Sequence, residues 1–292
     1  MALIDDAVIT AALGYIFTAA VGTAAPSPAE LDAADPEKFG SLTVNVKVTG
    51  SPTSYTLVVG GTPTAALPLA STADTVRAAI EAVAGIGVGN VEVSGVGAGD
   101  TDGLDITFLG ALQGTAVTLA EGTYVGGTAP DTTITTVTAL NGWHNIGHTS
   151  RDDLPEFGFD GGKFALKGTW QRKRLKQVQD GDIPADFVTF MLEQWDRTAL
   201  ELYFGEDAAA NTPGVFGVDG KFIPVERALL IIIVDGDVNI GFYCPKASIT
   251  RDDSIELPID EFASLPVKAT FLNLGTRRLY DWISELLFPA AS

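Results

Sequence analysis

Alternating apolar and polar residues predict several short β-strands between residues 41 and 139. Over residues 42–48 and again over 55–59 every second side chain is apolar, which predicts a β-hairpin turning near Pro52. Ser71 and Asp74 then form a capping box that opens a helix. Its apolar face consists of Val76, Ile80 and Val83. Later strands are predicted around Val93, Ile106, Leu119 and Ile134. These elements together predict a small β-hairpin–helix–β-meander domain.

Longer apolar runs outside this segment predict a second, larger set of strands. Asp235-Gly236 separates two of these runs and predicts a tight β-hairpin. The predicted strands cover residues 164–175, 228–234, 238–243 and 267–274. None of the apolar runs reaches the roughly 20 residues that a membrane-spanning helix needs, so we expect no membrane insertion. Asp5 and Asp6 stand where a signal peptide has basic residues, so we also expect no export.

One substantial helix is predicted beside these strands. It is expected to begin near Asp182 and Pro184, because proline suits the first turn of a helix. A spacing of four residues places the following apolar side chains on one face: Phe187, Met191 and Trp195. Residues 199–204 fit either a continuation of this helix or a further strand. The predicted fold class is therefore mainly β (α+β), a β-sandwich or barrel with one flanking helix.

Composition divides the chain into two parts. Residues 41–139 contain 15 of the 32 glycines, no tryptophan, histidine or cysteine, and only two basic residues, Lys47 and Arg77. Such an abrupt change is typical of a separately folded domain inserted into a host domain. The prediction is a discontinuous host domain of residues 1–40 and 140–292. Residues 41–139 are predicted to be an outward-facing accessory domain.

Length and charge limit the classes of function. With 292 residues the chain is long enough for about two domains and a large core. Its net charge of −19 repels phosphate groups, which argues against DNA recognition through a basic surface. The same charge is compatible with a protein that surrounds DNA without gripping it.

Residues capable of chemistry are few and do not form a recognisable active site. Cys244 is the only cysteine, so the chain cannot form an intrachain disulfide or a cysteine zinc cluster, and we expect a buried thiol. His144 and His148 lie in a turn-like context without a third ligand nearby, which favours structural roles over a metal site. Asp100, Asp102 and Asp105 resemble a calcium loop but lack the closing glutamate of an EF-hand. We therefore predict no enzyme, no metal and no cofactor.

Two groups of residues are candidates for contacts between copies of the chain. A basic cluster fits an acidic surface of a neighbouring subunit, with plain solvation as the alternative: Lys163, Lys167, Arg172, Lys173, Arg174 and Lys176. The second group would form an apolar patch on a monomer: Trp282, Leu286, Leu287 and Phe288. It is expected to bury against a neighbour or against the subunit's own sheet. Further contacts between copies are expected from the N-terminal arm, the 207–222 loop and the C-terminal segment from Tyr280.

Several host segments resemble one known family. They are Gly14–Pro26, Trp143–Asp153, Phe157–Gly162, Phe187–Phe204 and Arg251–Phe262. These segments are similar to major tail tube proteins of actinobacterial, mycobacteriophage-like phages with long non-contractile tails. The segment 41–139 departs from the family pattern by interrupting the path between Pro26 and Trp143.

The resemblance implies a structural virion protein of the phage tail without cofactors. Six copies would close a ring, and rings would stack into a tube around the tape-measure protein that later delivers genomic DNA. Further implied partners are the tail terminator and distal tail proteins, and assembly would take place in the cytoplasm of the bacterial host.

Other classes of protein also fit the composition. A surface adhesin or carbohydrate-binding β-module would suit the segment rich in threonine and glycine. A phage head decoration protein or the inner tube of a contractile tail would suit a β-rich assembly protein. A secreted β-rich hydrolase would need a pair of carboxylates that the sequence does not identify.

Overall fold

The structure, a computed structural model, describes residues 8–162, 164–167, 169–173, 175–179, 184–205, 212–218, 220 and 222–289. The chain forms two compact units. The first unit comprises residues 1–33 and 146–292, and the second comprises residues 34–145. Antiparallel strands dominate both units, which confirms the predicted mainly-β fold class.

The first unit contains nine described strands and two described helices. The strands are β1 (Leu13–Ala19), β11 (Glu156–Asp160), β12 (Phe164–Lys167), β13 (Lys176–Gln179), β14 (Ala185–Leu192), β15 (Val225–Asp235), β16 (Val238–Arg251), β17 (Leu265–Phe271) and β18 (Asp281–Ile283). The helices are α1 (Pro28–Ala33) and α3 (Arg197–Phe204).

The second unit contains the remaining elements. They are β2 (Leu42–Thr49), β3 (Ser54–Val59), β4 (Thr62–Pro63), β5 (Leu67–Pro68), α2 (Ala73–Glu81), β6 (Val91–Gly95), β7 (Leu104–Phe108), a 3-10 turn (Gly110–Leu112), β8 (Leu119–Val125), β9 (Asp131–Thr138) and β10 (His144–Asn145).

The main sheet of the first unit has the order β1-β15-β16-β17-β14-β11. Strands β15 and β16 form its long central hairpin, in which Asp235 pairs with Val238 across a tight turn. Gly236 in that turn has a φ of 61°, a left-handed conformation that glycine adopts without strain. The hairpin predicted from Asp235-Gly236 is therefore confirmed. Strands β17 and β18 occupy successive stretches of the other edge of β16.

The helix predicted near Asp182 and Pro184 is wrong, because residues 185–192 form strand β14. Asp182 itself lies outside the described residues. Val188, Phe190 and Leu192 are buried, whereas the intervening side chains are only half-buried. A spacing of four residues fits a strand as well as a helix, because four is a multiple of the strand period of two. Phe187 and Met191 thus share one face of a strand.

The single strand predicted over residues 164–175 is also wrong. Strands β12 and β13 instead form a separate two-stranded hairpin, with Lys167 paired to Lys176. Thr169 and Arg172 exchange backbone hydrogen bonds of 2.8 and 3.1 Å in the turn between them. Around this turn the residues are mostly polar or charged, so apolar and polar side chains do not alternate as they would in a continuing strand.

Helix α3 flanks the sheet and resolves the ambiguity over residues 199–204. Asp196 caps it, because its Oδ1 accepts a hydrogen bond of 2.8 Å from the backbone amide of Ala199. Ala199, Leu202 and Tyr203 are buried in the core that the helix shares with the inner faces of β14, β16 and β17. No described helix is both long and apolar enough to cross a membrane.

The second unit has its own core between two four-stranded sheets and helix α2. One sheet has the order β6-β7-β2-β9, and the other joins β4, β3, β5 and β8. Val76, Ile80 and Val83 are buried in this core, as the predicted apolar face of the helix requires. The cap is one residue later than predicted, because the Oγ1 of Thr72 accepts from the amide of Thr75.

Cys244 lies in the core of the first unit, as expected for a buried thiol. Its Sγ donates a hydrogen bond of 3.2 Å to the carbonyl oxygen of Lys246. Burial raises the pKa of this thiol from 9.0 to about 11, because the thiolate loses its hydration. The thiol is therefore protonated at neutral pH and shielded from reagents.

We predict that ionisation of Cys244 lowers the stability of the fold at alkaline pH. Between pH 9.0 and about 11 the unfolded chain loses its thiol proton while the folded chain keeps it. A shift of about two pKa units at about 1.4 kcal/mol each lowers the free energy of unfolding by about 3 kcal/mol in total. About 2 kcal/mol of this should be lost between pH 9 and pH 11, because titration is incomplete at both ends of the interval. Urea denaturation at fixed pH values measures this loss. Cys244→Ala is the control and should remove that part of the pH dependence, and an unchanged pH dependence would contradict the prediction.

Candidate functional site

The histidines predicted to be structural are held by backbone and amide groups. His144 Nδ1 lies 3.1 Å from the carbonyl oxygen of Gln113, within the second unit. In the first unit the backbone amide of His148 donates to Gln194 Oε1 at 3.3 Å. Within the described ranges, no group of three or more histidine, cysteine or acidic side chains is placed to hold a metal ion.

The acidic residues that resemble a calcium loop stabilise a turn of the second unit. Asp100 Oδ1 accepts a hydrogen bond of 2.8 Å from the backbone amide of Thr101. Asn45 Nδ2 donates to the carbonyl oxygen of Asp102 and to Asp105 Oδ1, both at 2.8 Å. Asp100 Oδ1, the carbonyl oxygen of Asp102 and Asp105 Oδ1 therefore accept hydrogen bonds within the turn and from the neighbouring strand β2.

An aromatic cluster lies where the C-terminal segment meets the main sheet. Phe242 of β16 is at its centre and buried, with ring centroids 4.7 Å from Phe157 and 5.1 Å from Trp282. Tyr280 and Phe271 complete the cluster, at 5.4 and 5.2 Å from Phe242. Pairing of β18 with β16 sets Trp282 opposite Phe242. The aromatic rings and the strand together fix the start of the C-terminal segment on the sheet.

Beyond β18 the chain turns and leaves apolar side chains exposed. Ser284 is buried, and its Oγ accepts a hydrogen bond of 3.3 Å from the backbone amide of Leu287. Leu286 and Phe288 are 49% and 57% exposed, whereas Leu287 is half-buried. We call residues 282–288 the C-terminal patch. Of the predicted contact residues, the structure brings together Trp282, Leu286, Leu287 and Phe288.

An open groove of about 580 Å³ runs between this patch and the segment Ala24–Pro28. Tyr243 donates its hydroxyl to the carbonyl oxygen of Thr23 at 2.7 Å, and burial raises the pKa of this phenol. Arg277 Nη1 donates to the carbonyl oxygen of Gly22 at 2.9 Å. These bonds tie the N-terminal segment to the sheet beside the patch.

The predicted basic contact residues lie on a different element, the β12–β13 hairpin. Lys167 and Arg172 are exposed, as is the neighbouring Lys173. Lys163 and Arg174 lie outside the described residues, and for Lys176 only the backbone in β13 is described. The same hairpin exposes three apolar side chains: Leu166, Trp170 and Leu175. Trp170 is 99% exposed. We call residues 164–179 the basic hairpin.

An acidic groove that the sequence analysis did not identify lies beneath the loop between β16 and β17. Its volume is about 580 Å³. The described lining residues include no lysine or arginine. Seven of them carry carboxylates: Asp152, Asp153, Glu193, Asp253, Glu256, Asp260 and Glu261. Ile259 and Phe262 on the same loop are 99% and 81% exposed. The only indication of this groove in the sequence is the mixture of acidic and apolar residues between Pro258 and Pro266.

The loop over the acidic groove is held at both of its ends. Asp252 donates its backbone amide to the carbonyl oxygen of Pro266 at 3.0 Å, and Glu256 bridges to Ser264. Tyr203 of α3 donates its hydroxyl to the carbonyl oxygen of Asp253 at 2.6 Å. The groove is therefore part of the folded first unit. The predicted 207–222 loop is only partly within the described residues, which resume at 212.

A family model and two similar proteins are described as bacteriophage tail proteins. A family model described as phage tail tube protein matches residues 1–48 and 111–292. The chain is 48% identical over 153 residues to the major tail protein Gp23 of Mycobacterium phage L5, covering 52% of this chain and 76% of that protein. It is 47% identical over 153 residues to the protein of the same name in Mycobacterium phage D29, with the same coverage.

A solved structure from Mycobacterium phage Patience is also similar to part of the chain. It is 21% identical, and the match covers 37% of this chain and 50% of that chain. The TM-score of 0.22 is too low for this likeness to inform the fold.

We predict that Trp282→Ala loosens the C-terminal patch and destabilises the first unit by about 2 kcal/mol. Trp282 is 41% exposed but contacts the rings of Phe157 and Phe242, and each such aromatic pair is worth about 0.5–1.5 kcal/mol. Chemical denaturation measures the change. The same substitution at Trp170 is the control, because that side chain is almost fully exposed and its loss should cost at most about 0.5 kcal/mol. Equal effects of the two substitutions would contradict the prediction.

Proposed function

Since the chain belongs to the phage tail tube protein family, we propose that its copies form stacked hexameric rings that enclose the channel for DNA delivery. The family model matches both ends of the chain and most of its length. The protein is a structural component of the virion tail that associates with itself there, and it is not an enzyme. The proposal goes beyond the family assignment in two respects, the number of copies in a ring and the passage of DNA through the channel.

Exposed apolar surface on the first unit is the observation that carries the proposal. Leu286 and Phe288 protrude from the C-terminal patch, and Ile259 and Phe262 protrude from the loop over the acidic groove. Apolar side chains grouped in this way are unfavourable on a monomer in water and favour burial against another chain. The C-terminal patch is therefore proposed as a contact between subunits. The basic hairpin exposes Leu166, Trp170 and Leu175 and is proposed as a second contact, including Lys163, Lys167, Arg172, Arg174 and Lys176.

A free sheet edge also supports closure into a ring. Strand β11 is the last strand of the main sheet among the described residues, and Phe159 on it is largely exposed. The backbone groups along such an edge can pair with another strand, which invites uncontrolled association. A closed ring of copies gives every edge a neighbour and leaves none open.

The proposed channel carries DNA without binding it. A net charge of −19 on every copy opposes adhesion of a polyanion to the protein. We propose that the tube forms in the cytoplasm of the host bacterium around a tape-measure protein. Its ends would meet the tail terminator and the distal tail proteins, and the tail would be long and non-contractile.

Residues 41–139 are proposed to be an accessory domain on the outer wall of the tube. The second unit has its own buried core, so its folding does not depend on a neighbouring copy. The points where the chain enters and leaves this segment lie side by side. Gly40 is so close to Trp143 that a Cβ atom added to it would clash with the carbonyl oxygen of Trp143. Inserted domains are tolerated where the chain leaves and re-enters at one place. Space for such a domain is greatest on the outside of a ring.

Electron microscopy of the purified protein tests the proposed assembly. Negatively stained samples at increasing protein concentration should contain rings with six subunits and tubes built from them. A protein that remains monomeric at high concentration, or that forms rings of another number, would contradict the proposal.

We predict that Leu286→Ser combined with Phe288→Ser leaves the chain folded but reduces assembly at least about tenfold. Both side chains are substantially exposed, so the fold loses little, whereas a contact between subunits loses about 1.5–3 kcal/mol for each. Analytical ultracentrifugation measures the assembled fraction. Val88→Ser with Val96→Ser is the control, because these exposed valines lie on the second unit. Normal assembly of the C-terminal variant would contradict the assignment.

We predict that replacing residues 41–139 by a short Gly/Ser linker preserves folding and tube formation. The adjacency of Gly40 and Trp143 means that a few residues suffice to join the ends. Thermal unfolding and electron microscopy of the shortened chain measure the two properties. Loss of folding, or loss of tubes from a folded chain, would show that the segment is not accessory.

A further inference from the structure

The main sheet carries polar side chains on the face that turns away from the core of the first unit. Directly opposite residues of antiparallel strands share a face, so the pairings define a row across five strands: Gly158, Phe187, Thr270, Ser248 and Glu226. The row beside it consists of Glu156, Thr189, Lys268 and Thr250. The residues between the two rows are buried in the core on the other face: Val188, Ala269 and Ile249. We call the face that carries the two rows the polar face.

Lys268 lies along the polar face instead of projecting from it. Its Nζ is 3.7 Å from the ring centroid of Phe187 and 2.6 Å from Asp160 Oδ2. Lys268 is paired with Thr189 of β14. Asp160 is paired with Ala185, the first residue of the same strand. The lysine side chain therefore crosses the phenyl ring to reach the carboxylate, which neutralises its charge.

Gly158 provides the space for this arrangement. A Cβ atom added to it would lie 2.6 Å from Phe187 Cζ, which is too close for a methyl group. The phenyl ring therefore covers the glycine, a contact that compensates for the missing side chain in a strand. A cation–π contact and an ion pair then hold the ammonium group above the ring. We call Gly158, Phe187, Lys268 and Asp160 the lysine stack.

The rest of the polar face has short side chains and a second paired lysine. Lys246 Nζ lies 3.0 Å from Glu226 Oε2. Lys246 and Lys268 are both half-buried, whereas Glu156 is exposed. Four of the remaining side chains in the two rows carry hydroxyl groups: Thr189, Ser248, Thr250 and Thr270. The polar face therefore presents hydroxyl groups and carboxylates, and its two described lysines already have carboxylate partners.

Such a surface suits a wall along which DNA moves. A lysine that projects into solvent binds phosphate and displaces counterions, so every projecting lysine would hold a passing duplex. A lysine that lies flat against a carboxylate presents no net charge to the phosphates. The basic hairpin is unlike the polar face in this respect, because Arg172 and Lys173 are exposed on it.

We propose that the polar face borders the DNA channel and that the lysine stack keeps Lys268 from binding the phosphates of passing DNA. The inference rests on the proposed tube, because it names the surface of each copy that faces the channel. Gly158, Phe187 and Asp160 are positioning residues, since they act on DNA only through the lysine. Glu226 has the same role for Lys246.

Cysteine labelling of assembled tubes tests where the polar face points. Cys244 is buried, so a cysteine introduced on the surface provides the reactive thiol. Ser248→Cys and Thr189→Cys place a thiol on the polar face, and Val88→Cys places one at an exposed site of the second unit. In tubes, the polar-face thiols should react with a small maleimide but, away from the tube ends, not with a maleimide on a long polyethylene glycol chain. Val88→Cys should react with both reagents.

Two labelling results would overturn the proposed position of the polar face. Reaction with the long reagent along the whole tube would place this face on the outside. Failure to react with either reagent would place it between copies. Electron microscopy verifies that each variant forms tubes, and two polar-face positions are used in case one variant does not assemble. Failure of the proposed tube is distinguishable, because the wild-type protein would then form no tubes to label.

Charge removal in virions tests the lysine stack itself. Asp160→Asn keeps the shape of the side chain but leaves the charge of Lys268 without its carboxylate. DNA release from virions that carry this variant should slow at least about twofold at low salt, and the slowing should shrink as salt is added. Glu226→Gln is a second variant and should act in the same way through Lys246. A dye that fluoresces on binding released DNA measures the rate.

A matched control separates the stack from a change in net charge. Glu92→Gln removes a carboxylate 2.8 Å from Lys38 Nζ on the second unit and changes the net charge by the same amount. It should release DNA at the wild-type rate. Wild-type release by both polar-face variants, slowing that does not depend on salt, or equal slowing by Glu92→Gln would each overturn the proposed role of the paired lysines. Thermal unfolding of each variant verifies that it is folded.

Discussion

Strand β16 is the element on which the rest of the first unit depends. Its fourteen residues pair with β15 along one edge and with β17 and β18 along the other. Seven consecutive residues of this strand, from Asn239 to Pro245, are buried, and Phe242 among them anchors the aromatic cluster. The C-terminal patch and the loop over the acidic groove both begin from this strand or from a strand paired with it. A single buried strand therefore sets the positions of the surfaces that face other copies.

The main sheet supports two of the surfaces proposed to contact other copies. Pairing of β18 with β16 places the C-terminal patch, and pairing of β14 with β17 places the acidic groove. The second unit has an apolar core of its own. Its separate packing is consistent with an accessory role.

The sequence predicted the parts of the fold that depend on local chemistry. The turn at Asp235-Gly236 and the apolar face of α2 follow from a few adjacent residues, and both are confirmed. The helix over β14 was predicted wrongly because the spacing of Phe187 and Met191 fits both periods. The acidic groove was missed because its walls come from three distant segments, near Asp153, Glu193 and Asp260. Pairing of β14 with β17 and a hydrogen bond of 2.9 Å from Trp195 Nε1 to the carbonyl oxygen of Ala263 bring the last two segments together.

Hydrogen–deuterium exchange of assembled against dissociated protein tests most directly whether the first unit builds the tube. Assembly should slow exchange in the loop of residues 252–264 and in the segment 284–288, because contacts between copies exclude water from their amides. Peptides that contain the basic hairpin should be protected as well. Exchange in strand β9 of the second unit should be the same in both states. Protection confined to residues 34–145, with none in the first unit, would contradict this assignment of the assembly surfaces.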